Sequence, residues 1–391
     1  MNDLIMIEAG RGCPYACTFC STSVFWGRQF RIKPAVSIID EMNRFNKLYG
    51  VTRFSLLHDL FTANKSYLEE FCLLLIKEGI NYDWDCSSRI DVLDKETIDL
   101  LAESKCKGMF IGLETGSFRM QKLINKNIDL EKAVNLIEYI NSRGIELTVA
   151  FIYGYPDETE QDFLLTVEMM ERLRRIGVRE IQLGTYIPLP RTLEAEKIKD
   201  RMYFDEEDIN FSIYKKYVFD DNTKALINRY PELFIQYYCF ESTVRKKYRY
   251  FDIFHAMFMT ANSVFYCCTN YLLDKYRWIE IYEKYAKRIE GHVKMRGGEP
   301  RESKQFLEES CLFFDTIIKD ELYYNSGFLR IAYSIEKLFF SYCMGNEVER
   351  ISYRVRVDYF NMRKHKKVKE KEVKLIFSKE SNHPQIMQLD I

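Results

Sequence analysis

Short apolar runs alternate with amphipathic segments throughout the first half of the chain, up to about Pro190. Six of the runs are typical of strands, at 4–10, 52–59, 82–88, 108–114, 146–154 and 180–188. Helical periodicity occupies the segments at 35–49, 65–79, 94–105, 130–143 and 159–176. Strands of this kind, separated by helices, pair in parallel and are buried on both faces. Because a complete barrel has eight units, these six predict an α/β fold with a partial (β/α)6 TIM-like barrel over residues 1–195.

Residues suited to helix ends lie at the borders of these segments. Asp94 is placed to cap the start of one predicted helix, and Pro34 suits the first position of another. Gly79 and Gly144 lie where two helices should end in a left-handed residue. These local signals agree with the alternation of strands and helices.

After residue 195 the pattern changes to long amphipathic stretches crowded with Tyr, Phe and Met. We predict a mostly α-helical, aromatic-rich domain over 200–362, with residues such as Trp278 in its core, and a charged tail at 363–391. The run 254–273 has no Asp, Glu, Lys or Arg, but it contains His, Asn, Ser and Thr. Because these polar side chains are costly in lipid, the run predicts a buried helix and no membrane span.

Charge and cysteine content limit the partners and the compartment. Lys and Arg number 57 and Asp and Glu 58, and the net charge of -1 gives no electrostatic reason to bind nucleic acid or an acidic membrane. The chain opens without the basic start and long apolar run of a secretory signal, so we expect a cytoplasmic location. In that reducing compartment the eleven cysteines should be thiols, and a tight cluster of them suggests metal.

The stretch CPYACTFC contains such a cluster, formed by Cys13, Cys17 and Cys20. Three thiolates on one loop can hold three corners of an iron-sulfur cubane, which leaves the fourth iron open to another ligand. The alternative is a zinc site completed by a distant Cys or His. Gly10 and Gly12 would let the loop fold tightly.

Polar residues follow the carboxyl ends of the other predicted strands. They are His58, Asp59, Ser87, Arg89, Glu114, residues 154–159 and residues 188–192. The carboxyl ends of parallel strands meet at one rim of a barrel, and the cysteine loop follows the first strand to the same rim. We therefore predict the active site at this rim.

Several of these stretches together resemble the radical S-adenosylmethionine (SAM) superfamily. CPYACTFC matches its Cys-x-x-x-Cys-x-aromatic-Cys signature, and LLHDLFTAN, CSSRIDVLDKETIDLLAESKCKGMFIGLETGS and FIYGYPDET resemble later family segments in the same order. The resemblance covers about residues 4–195. It implies that Cys13, Cys17 and Cys20 bind a 4Fe-4S cluster whose fourth iron takes the amino and carboxylate groups of SAM. One electron would then cleave SAM to methionine and a 5'-deoxyadenosyl radical, which removes hydrogen from a substrate.

Under this resemblance, three rim residues suit the ribose and the carboxylate of SAM. Glu114 only accepts hydrogen bonds and suits the ribose hydroxyls, with a buried structural carboxylate as the alternative. Arg89 offers a planar fork to the SAM carboxylate, with the hydroxyl of Ser87 beside it, and a surface ion pair is the alternative for Arg89.

The resemblance also implies contacts to the adenine and to the ammonium group. Phe19 would lie by the adenine, and backbone groups of Tyr153 and Gly154 would bind its edge. Asp59 would accept from the SAM ammonium, although His58 alters the usual acidic or glycine-rich pattern of the family there. His58 is a core histidine, a donor behind the site, or a proton carrier that faces the substrate.

The loop STSVFWGRQFRIKP, residues 21–34, is most similar to the subgroup that usually has a cobalamin-binding domain before its barrel. The resemblance places Arg28 and Arg31 near the cluster, where they would offset its negative charge. Because the predicted barrel begins almost at Met1, we expect no such domain here. Cobalamin would then come from a separate partner chain, or the chain would be truncated.

The sequence thus predicts a radical SAM enzyme that abstracts hydrogen from a small-molecule or peptide substrate. An electron donor such as flavodoxin or ferredoxin would be a partner, and nucleic acid would not. One alternative is a radical SAM methyltransferase that uses cobalamin from a partner. The other is a non-catalytic iron-sulfur or zinc-binding protein.

Overall fold

The computed structural model describes residues 4–204, 219–262, 264–294, 303–322, 329–330, 332–337, 354–356, 373–378 and 385–389. The chain divides into two compact units. The first unit contains residues 1–211 and 217–249, and the second contains residues 212–216 and 250–391.

Six parallel strands form the main sheet of the first unit, in the order in which they occur along the chain. The strands are β1 (Leu4–Glu8), β2 (Arg53–Leu57), β3 (Asp83–Ser88), β4 (Cys106–Glu114), β5 (Glu146–Tyr153) and β6 (Glu180–Thr185). Their order and direction confirm the predicted α/β fold with a partial barrel.

Five helices lie between these strands. They are α1 (Ala35–Tyr49), α2 (Lys65–Lys77), α3 (Lys95–Glu103), α4 (Leu130–Ser142) and α5 (Glu160–Arg175). The predicted cap of α3 is confirmed, because the Asp94 carboxylate accepts from the Thr97 N–H at 2.8 Å. Gly79 and Gly144 follow α2 and α4 with φ of 65° and 76°, as predicted. Pro34 immediately precedes α1 and is not its first helical residue.

The burial of successive side chains alternates along the strands, so the sheet has one packed face and one open face. On β3, Trp84, Cys86 and Ser88 are buried, whereas Asp85 and Ser87 between them are half-buried. The packed face lies against the helices, and the Trp84 ring is edge-on to a ring of α2 with centroids 5.3 Å apart. Burial of this apolar face stabilises the sheet, and polar residues are left for the open face.

The first unit continues beyond β6. Two short strands, β7 (Met202–Phe204) and β8 (Tyr238–Phe240), pair antiparallel. Phe240 packs against Tyr186, which follows β6, with ring centroids 5.7 Å apart. Residues 217–249 therefore belong to the first unit, and the second unit begins its main segment at Tyr250 and not at residue 200. The alternating pattern of the sequence ends earlier because this extension contributes strands of only three residues.

The second unit contains four helices of ten residues or more in its described part. They are α6 (Phe251–Ala261), α7 (Tyr266–Lys275), α8 (Trp278–Lys294) and α9 (Ser303–Leu322). Trp278, Tyr282 and Tyr285 of α8 are buried, which confirms their predicted place in the core. Three further strands, Arg354–Arg356, Val373–Ser378 and Gln385–Leu389, form an antiparallel sheet that includes part of the segment expected to be a charged tail.

The uncharged run 254–273 lies on two helices, α6 and α7, and not on one helix as predicted. Its His255 and Thr269 side chains are buried, in agreement with the predicted burial of the run. Among the helices of the described residues, none has both the length and the apolar character needed to cross a bilayer.

Candidate active site

The cysteine loop, residues 12–20, follows β1 at the carboxyl end of the sheet. Just before it, Gly10 and Arg11 pair antiparallel with Arg31 and Ile32. This pairing leaves no room for a side chain at Gly12, where φ is 93° and a Cβ would lie 1.8 Å from the carbonyl oxygen of residue 29. Glycine is therefore required at the turn that leads into Cys13.

The carboxylate of Asp59, just after β2, contacts the start of the cysteine loop and the short helix that follows it. One oxygen accepts from the Gly12 N–H at 2.6 Å, and the other accepts from the Thr22 hydroxyl at 3.4 Å. Asp59 therefore orients the loop in this structure.

The turn at residues 124–127, which we call the Asn-Lys turn, holds the middle of the cysteine loop. The carbonyl oxygen of Ile124 accepts from the Thr18 N–H at 3.0 Å. The side-chain amide of Asn125 donates to the Ala16 carbonyl oxygen at 2.9 Å. Asn125 and Asn127 both have positive φ, 51° and 56°, a conformation that asparagine tolerates better than most residues.

The thiols of Cys13, Cys17 and Cys20 are half-buried and form no disulfide. Desolvation raises the pKa of Cys13 and Cys17, and repulsion from neighbouring thiolates raises it further, while Lys126 and Arg89 oppose this rise at Cys17. Within the described ranges, no three His, Cys, Asp or Glu side chains are placed to hold one metal ion. Three cysteines beside two cations are a suitable donor set for an iron-sulfur cluster, which is held by cysteine thiolates.

Arg89 lies against the cysteine loop. Its Nη1 donates to the Cys17 Sγ at 3.5 Å, and its guanidinium carbon lies 3.8 Å from the centroid of the Tyr15 ring. Its Nε and Nη2 donate to the Asp91 carboxylate at 3.0 and 2.8 Å, and Nη2 also donates to the Lys126 carbonyl oxygen at 2.7 Å. The Arg89 side chain is only 7% exposed, so this ion pair is buried on the arginine side and is not a surface pair.

Glu114 ends β4 at an irregularity in its pairing with β5, where its φ is 68°. Its Oε1 accepts from the Lys126 Nζ at 2.6 Å, and both side chains are buried. A Cβ at Gly112 would lie 2.1 Å from this oxygen and 3.0 Å from the Lys126 Nζ, so the glycine makes room for the pair. Gly112 and the exposed Phe110 are two residues apart on one strand, which places the pair on the open face of the sheet.

His58 is a core histidine. Its Nδ1 accepts from the Leu60 N–H at 2.9 Å, and its Nε2 lies 3.0 Å from the Arg31 carbonyl oxygen. A nitrogen that accepts carries no proton, so the ring is neutral with its proton on Nε2, which donates to Arg31. Desolvation lowers the pKa of His58, in agreement with the neutral form. With both nitrogens engaged and the side chain buried, His58 does not face a substrate.

The segment after β5 forms another part of the rim. Gly154 has φ of 79°, and its N–H donates to the carboxylate of Glu158. Phe19 of the cysteine loop packs edge-on against Tyr155, with ring centroids 5.7 Å apart. The Tyr153 ring is buried away from the loop and its hydroxyl donates to the Tyr248 carbonyl oxygen at 3.0 Å, so only the backbone of Tyr153 is left for the rim.

The structure brings most of the predicted site residues together around the cysteine loop. Asp59 and Arg89 contact it directly, and Glu114 reaches it through Lys126. Ser87 is half-buried on the open face near the end of β3, beside Phe110 in the register of the sheet.

Sequence reasoning missed three residues of this site: Asn125, Lys126 and Asp91. Asn125 and Lys126 lie in a turn outside the motifs that we recognised, whereas Asp91 lies in a short 3-10 helix inside a recognised motif but was given no role. One signal was present in the sequence, because the tripeptide Asn-Lys-Asn between two helical patterns offers two asparagines that tolerate left-handed conformations. Such a turn in the loop that follows a barrel strand indicates a rim residue.

Comparison with known proteins finds similarity over part of the chain. A family model for the radical SAM superfamily matches residues 7–170. The chain is 28% identical over 189 residues to an uncharacterized methyltransferase of Pyrococcus horikoshii, covering 48% of this chain and 41% of the relative. It is 30% identical over 209 residues to bacteriochlorophyllide d C-12(1)-methyltransferase of Chlorobaculum tepidum, covering 52% and 45%. It is 28% identical over 215 residues to the anaerobic magnesium-protoporphyrin IX monomethyl ester cyclase of Rubrivivax gelatinosus, covering 54% and 38%.

The chain therefore spans less than half the length of each of these relatives. Among solved structures, a radical SAM methyltransferase of Kitasatospora setae with tryptophan and a SAM analog bound has a TM-score of 0.51 at 16% identity, over 63% of this chain and 50% of that one. This likeness concerns the fold.

The fold and the site define a class of domain, a partial α/β barrel with three cysteines at the carboxyl ends of its strands. Residues 7–170 match the family model of the radical SAM superfamily, which identifies this segment as a radical SAM domain. Enzymes of this superfamily use a 4Fe-4S cluster and SAM.

Proposed function

We propose that Cys13, Cys17 and Cys20 bind three irons of a 4Fe-4S cluster and that the chain uses SAM to abstract hydrogen from a substrate. The observation that carries this proposal is the cysteine loop, whose three unpaired thiols are held at the barrel rim by Asp59 and the Asn-Lys turn. When bound, the cluster and SAM supply the electron and the radical chemistry. The residues of the chain bind and orient both groups.

In this proposal Glu114, Arg89 and Ser87 contact the ribose and the carboxylate of SAM. Glu114 lies on the open face of the sheet, and only its Oε1 is used by Lys126 in the contact described above. A carboxylate has two oxygens with about four acceptor positions, which leaves capacity for ribose hydroxyls. Ser87 lies on the same face, and Arg89 lies beside Cys17.

The proposed adenine contacts are Phe19 and the backbone of Tyr153 and Gly154. The packing of Phe19 on Tyr155 supports this, because it brings an aromatic ring of the cysteine loop to the segment after β5. Asp59 is the proposed acceptor for the SAM ammonium. Its carboxylate is fixed at the base of the cysteine loop by the Gly12 N–H, close to the proposed cluster ligands.

The proposed substrate is a small molecule or a peptide, and the proposed reductant is a donor such as flavodoxin or ferredoxin. The balanced charge of the chain supports a substrate other than nucleic acid. All ten cysteines whose state the structure describes are thiols, which supports a reducing compartment such as the cytoplasm.

The test is anaerobic reconstitution with iron and sulfide, followed by dithionite, SAM and mass spectrometry for 5'-deoxyadenosine. We expect close to four irons per chain by the cubane stoichiometry, together with formation of 5'-deoxyadenosine. Cys17→Ala should lose both properties, whereas Cys72→Ala, a buried cysteine of α2, should retain them. A fully loaded wild-type protein that forms no 5'-deoxyadenosine would support the non-catalytic alternative and overturn the proposal.

A second candidate function is methyl transfer. It is favoured by the names of two relatives reported above, one of which methylates bacteriochlorophyllide d. Under this hypothesis cobalamin is supplied by another chain or by a part of the protein beyond this sequence. Added cobalamin should then increase turnover and lead to transfer of the labelled methyl group of SAM, whereas hydrogen abstraction alone requires no cobalamin.

A further inference from the structure

Most of the N–H groups of the Arg89 guanidinium already donate hydrogen bonds within the protein. Four of the five N–H groups of its guanidinium are used, by the two oxygens of Asp91, the Lys126 carbonyl oxygen and the Cys17 sulfur. The Tyr15 ring covers its face at 3.8 Å. These contacts fix the plane of the guanidinium relative to the cysteine loop.

The contact with Cys17 is chemically distinct from the others, because it points an N–H of a permanent cation at a proposed cluster ligand. Hydrogen bonds to the sulfurs and local net charge are two of the factors that set the reduction potential of an iron-sulfur cluster. A reduced cluster has one more negative charge than an oxidised one. A charge-assisted donor to a ligand sulfur therefore stabilises the reduced form more.

Lys126 is the second cation beside Cys17, but it is a weaker candidate for this effect. Its ammonium is paired at 2.6 Å with Glu114, and that carboxylate acts on Cys17 with the opposite sign. The carboxylate partner of Arg89, Asp91, is 30% exposed, so water screens its charge more strongly. Asp91 offsets part of the charge of Arg89, so the feature that distinguishes Arg89 is its direct hydrogen bond from N–H to sulfur.

We propose that Arg89 is a positioning residue that raises the reduction potential of the cluster through its hydrogen bond to the Cys17 sulfur. This inference rests on the proposed function, since it requires a cluster on the three cysteines. This role differs from the role in SAM binding proposed above, because the N–H groups of the guanidinium then donate mainly to groups of the protein and not to the SAM carboxylate. The redox step is simple: dithionite supplies one electron to the oxidised cluster, and no bond is made or broken.

The test compares wild type, Arg89→Gln and Arg89→Lys by redox titration of the reconstituted cluster, followed by electron paramagnetic resonance without SAM. We expect Arg89→Gln to disfavour reduction about tenfold, which is a shift of about 59 mV to lower potential for one electron. Arg89→Lys keeps the charge and should shift less. Arg172→Gln is the matched control, since it removes an arginine of the outer helix α5 that is paired with the Glu131 carboxylate of α4.

SAM affinity, measured by equilibrium dialysis on the same samples, separates the two roles of Arg89. An unchanged potential overturns the inference, and a tenfold loss of SAM affinity at unchanged potential assigns Arg89 to the SAM carboxylate instead. If Arg89→Gln does not fold, the wild-type protein still provides a test. Electron–nuclear double resonance should then detect an exchangeable proton coupled to the cluster, and its absence overturns the inference. Failure of the proposed function is distinct, because wild type would then hold no cluster, or would hold one and form no 5'-deoxyadenosine.

Discussion

Lys126 and Glu114 form an ion pair inside the protein, with 2.6 Å between Nζ and Oε1 and with side chains only 7% and 11% exposed. The pair joins the end of β4 to the Asn-Lys turn, which in turn holds the cysteine loop. Because an unpaired charge in this environment is poorly solvated, each member of the pair depends on the other.

Replacing one member of this pair should destabilise the first unit. We expect Lys126→Met to lower the free energy of unfolding by about 3 kcal/mol, since it leaves the Glu114 carboxylate buried without its partner. Anaerobic urea denaturation measures this change. The double variant with Glu114→Gln should lose less than the sum of the single variants.

Lys132→Met is the control for this prediction. Lys132 pairs with Asp129 at the start of α4, but its side chain is 81% exposed. Its loss should leave the free energy of unfolding almost unchanged. Equal effects of Lys126→Met and Lys132→Met would show that burial of the Glu114 pair has no energetic consequence.

Gly12→Ala should prevent the cysteine loop from reaching its structure. The new Cβ would lie 1.8 Å from a backbone oxygen, at a residue with φ of 93°. We expect most of the reconstituted iron to be lost while the circular dichroism spectrum of the barrel is retained, because the clash is confined to the loop and its neighbour.

Gly144→Ala separates strain from steric clash. Gly144 also has positive φ, 76°, but nothing lies within 4 Å of a Cβ there. This variant should lose only about 1–2 kcal/mol of stability from the left-handed conformation and should bind iron normally. Normal iron content in Gly12→Ala would mean that the loop does not need the close approach.

The barrel was predictable because its signals are local. Each strand of the sheet is a short apolar run, and the ends of α2, α3 and α4 carry a glycine or a capping aspartate in the sequence itself. Neighbours in the chain are also neighbours in the sheet, so no long-range pairing had to be inferred.

The missed features depend on contacts between distant segments. Asn125 meets the cysteine loop over a separation of 109 residues. The pairing of β7 with β8 crosses more than thirty residues, and its strands have only three residues each. No hydrophobic period marks such contacts, and the positive φ of Glu114 has no signature in the sequence either.

Glu158 should make the stability of the first unit depend on pH. Burial raises the pKa of its carboxyl to about 8, and one of its oxygens has no hydrogen-bond partner in the described structure. The folded state therefore holds a proton that the unfolded state releases near pH 4.5. Stability from this proton is complete below that pH and is lost as the pH rises through about 8.

Glu158→Gln should remove this dependence. Its amide oxygen can still accept from the Gly154 N–H, so the variant should match wild type near pH 5 and exceed it by a few kcal/mol at pH 9. Chemical denaturation at a series of pH values measures the difference. Parallel stability curves for the two proteins would contradict a raised pKa.

His58 should produce the opposite dependence at lower pH. Desolvation lowers its pKa in the folded state, where Nδ1 must remain unprotonated to accept from the Leu60 N–H. The folded state thus binds fewer protons than the unfolded state below about pH 6.5, where free histidine titrates. Stability should therefore be present above that pH and be lost as the pH falls through the lower folded pKa.

His58→Gln tests this dependence, because its side chain can donate and accept hydrogen bonds but does not titrate. From pH 7 to pH 5, the unfolding free energy of wild type should fall relative to that of the variant. A constant difference over this range would mean that the pKa of His58 is the same in the folded and unfolded states, which would contradict the lowered pKa.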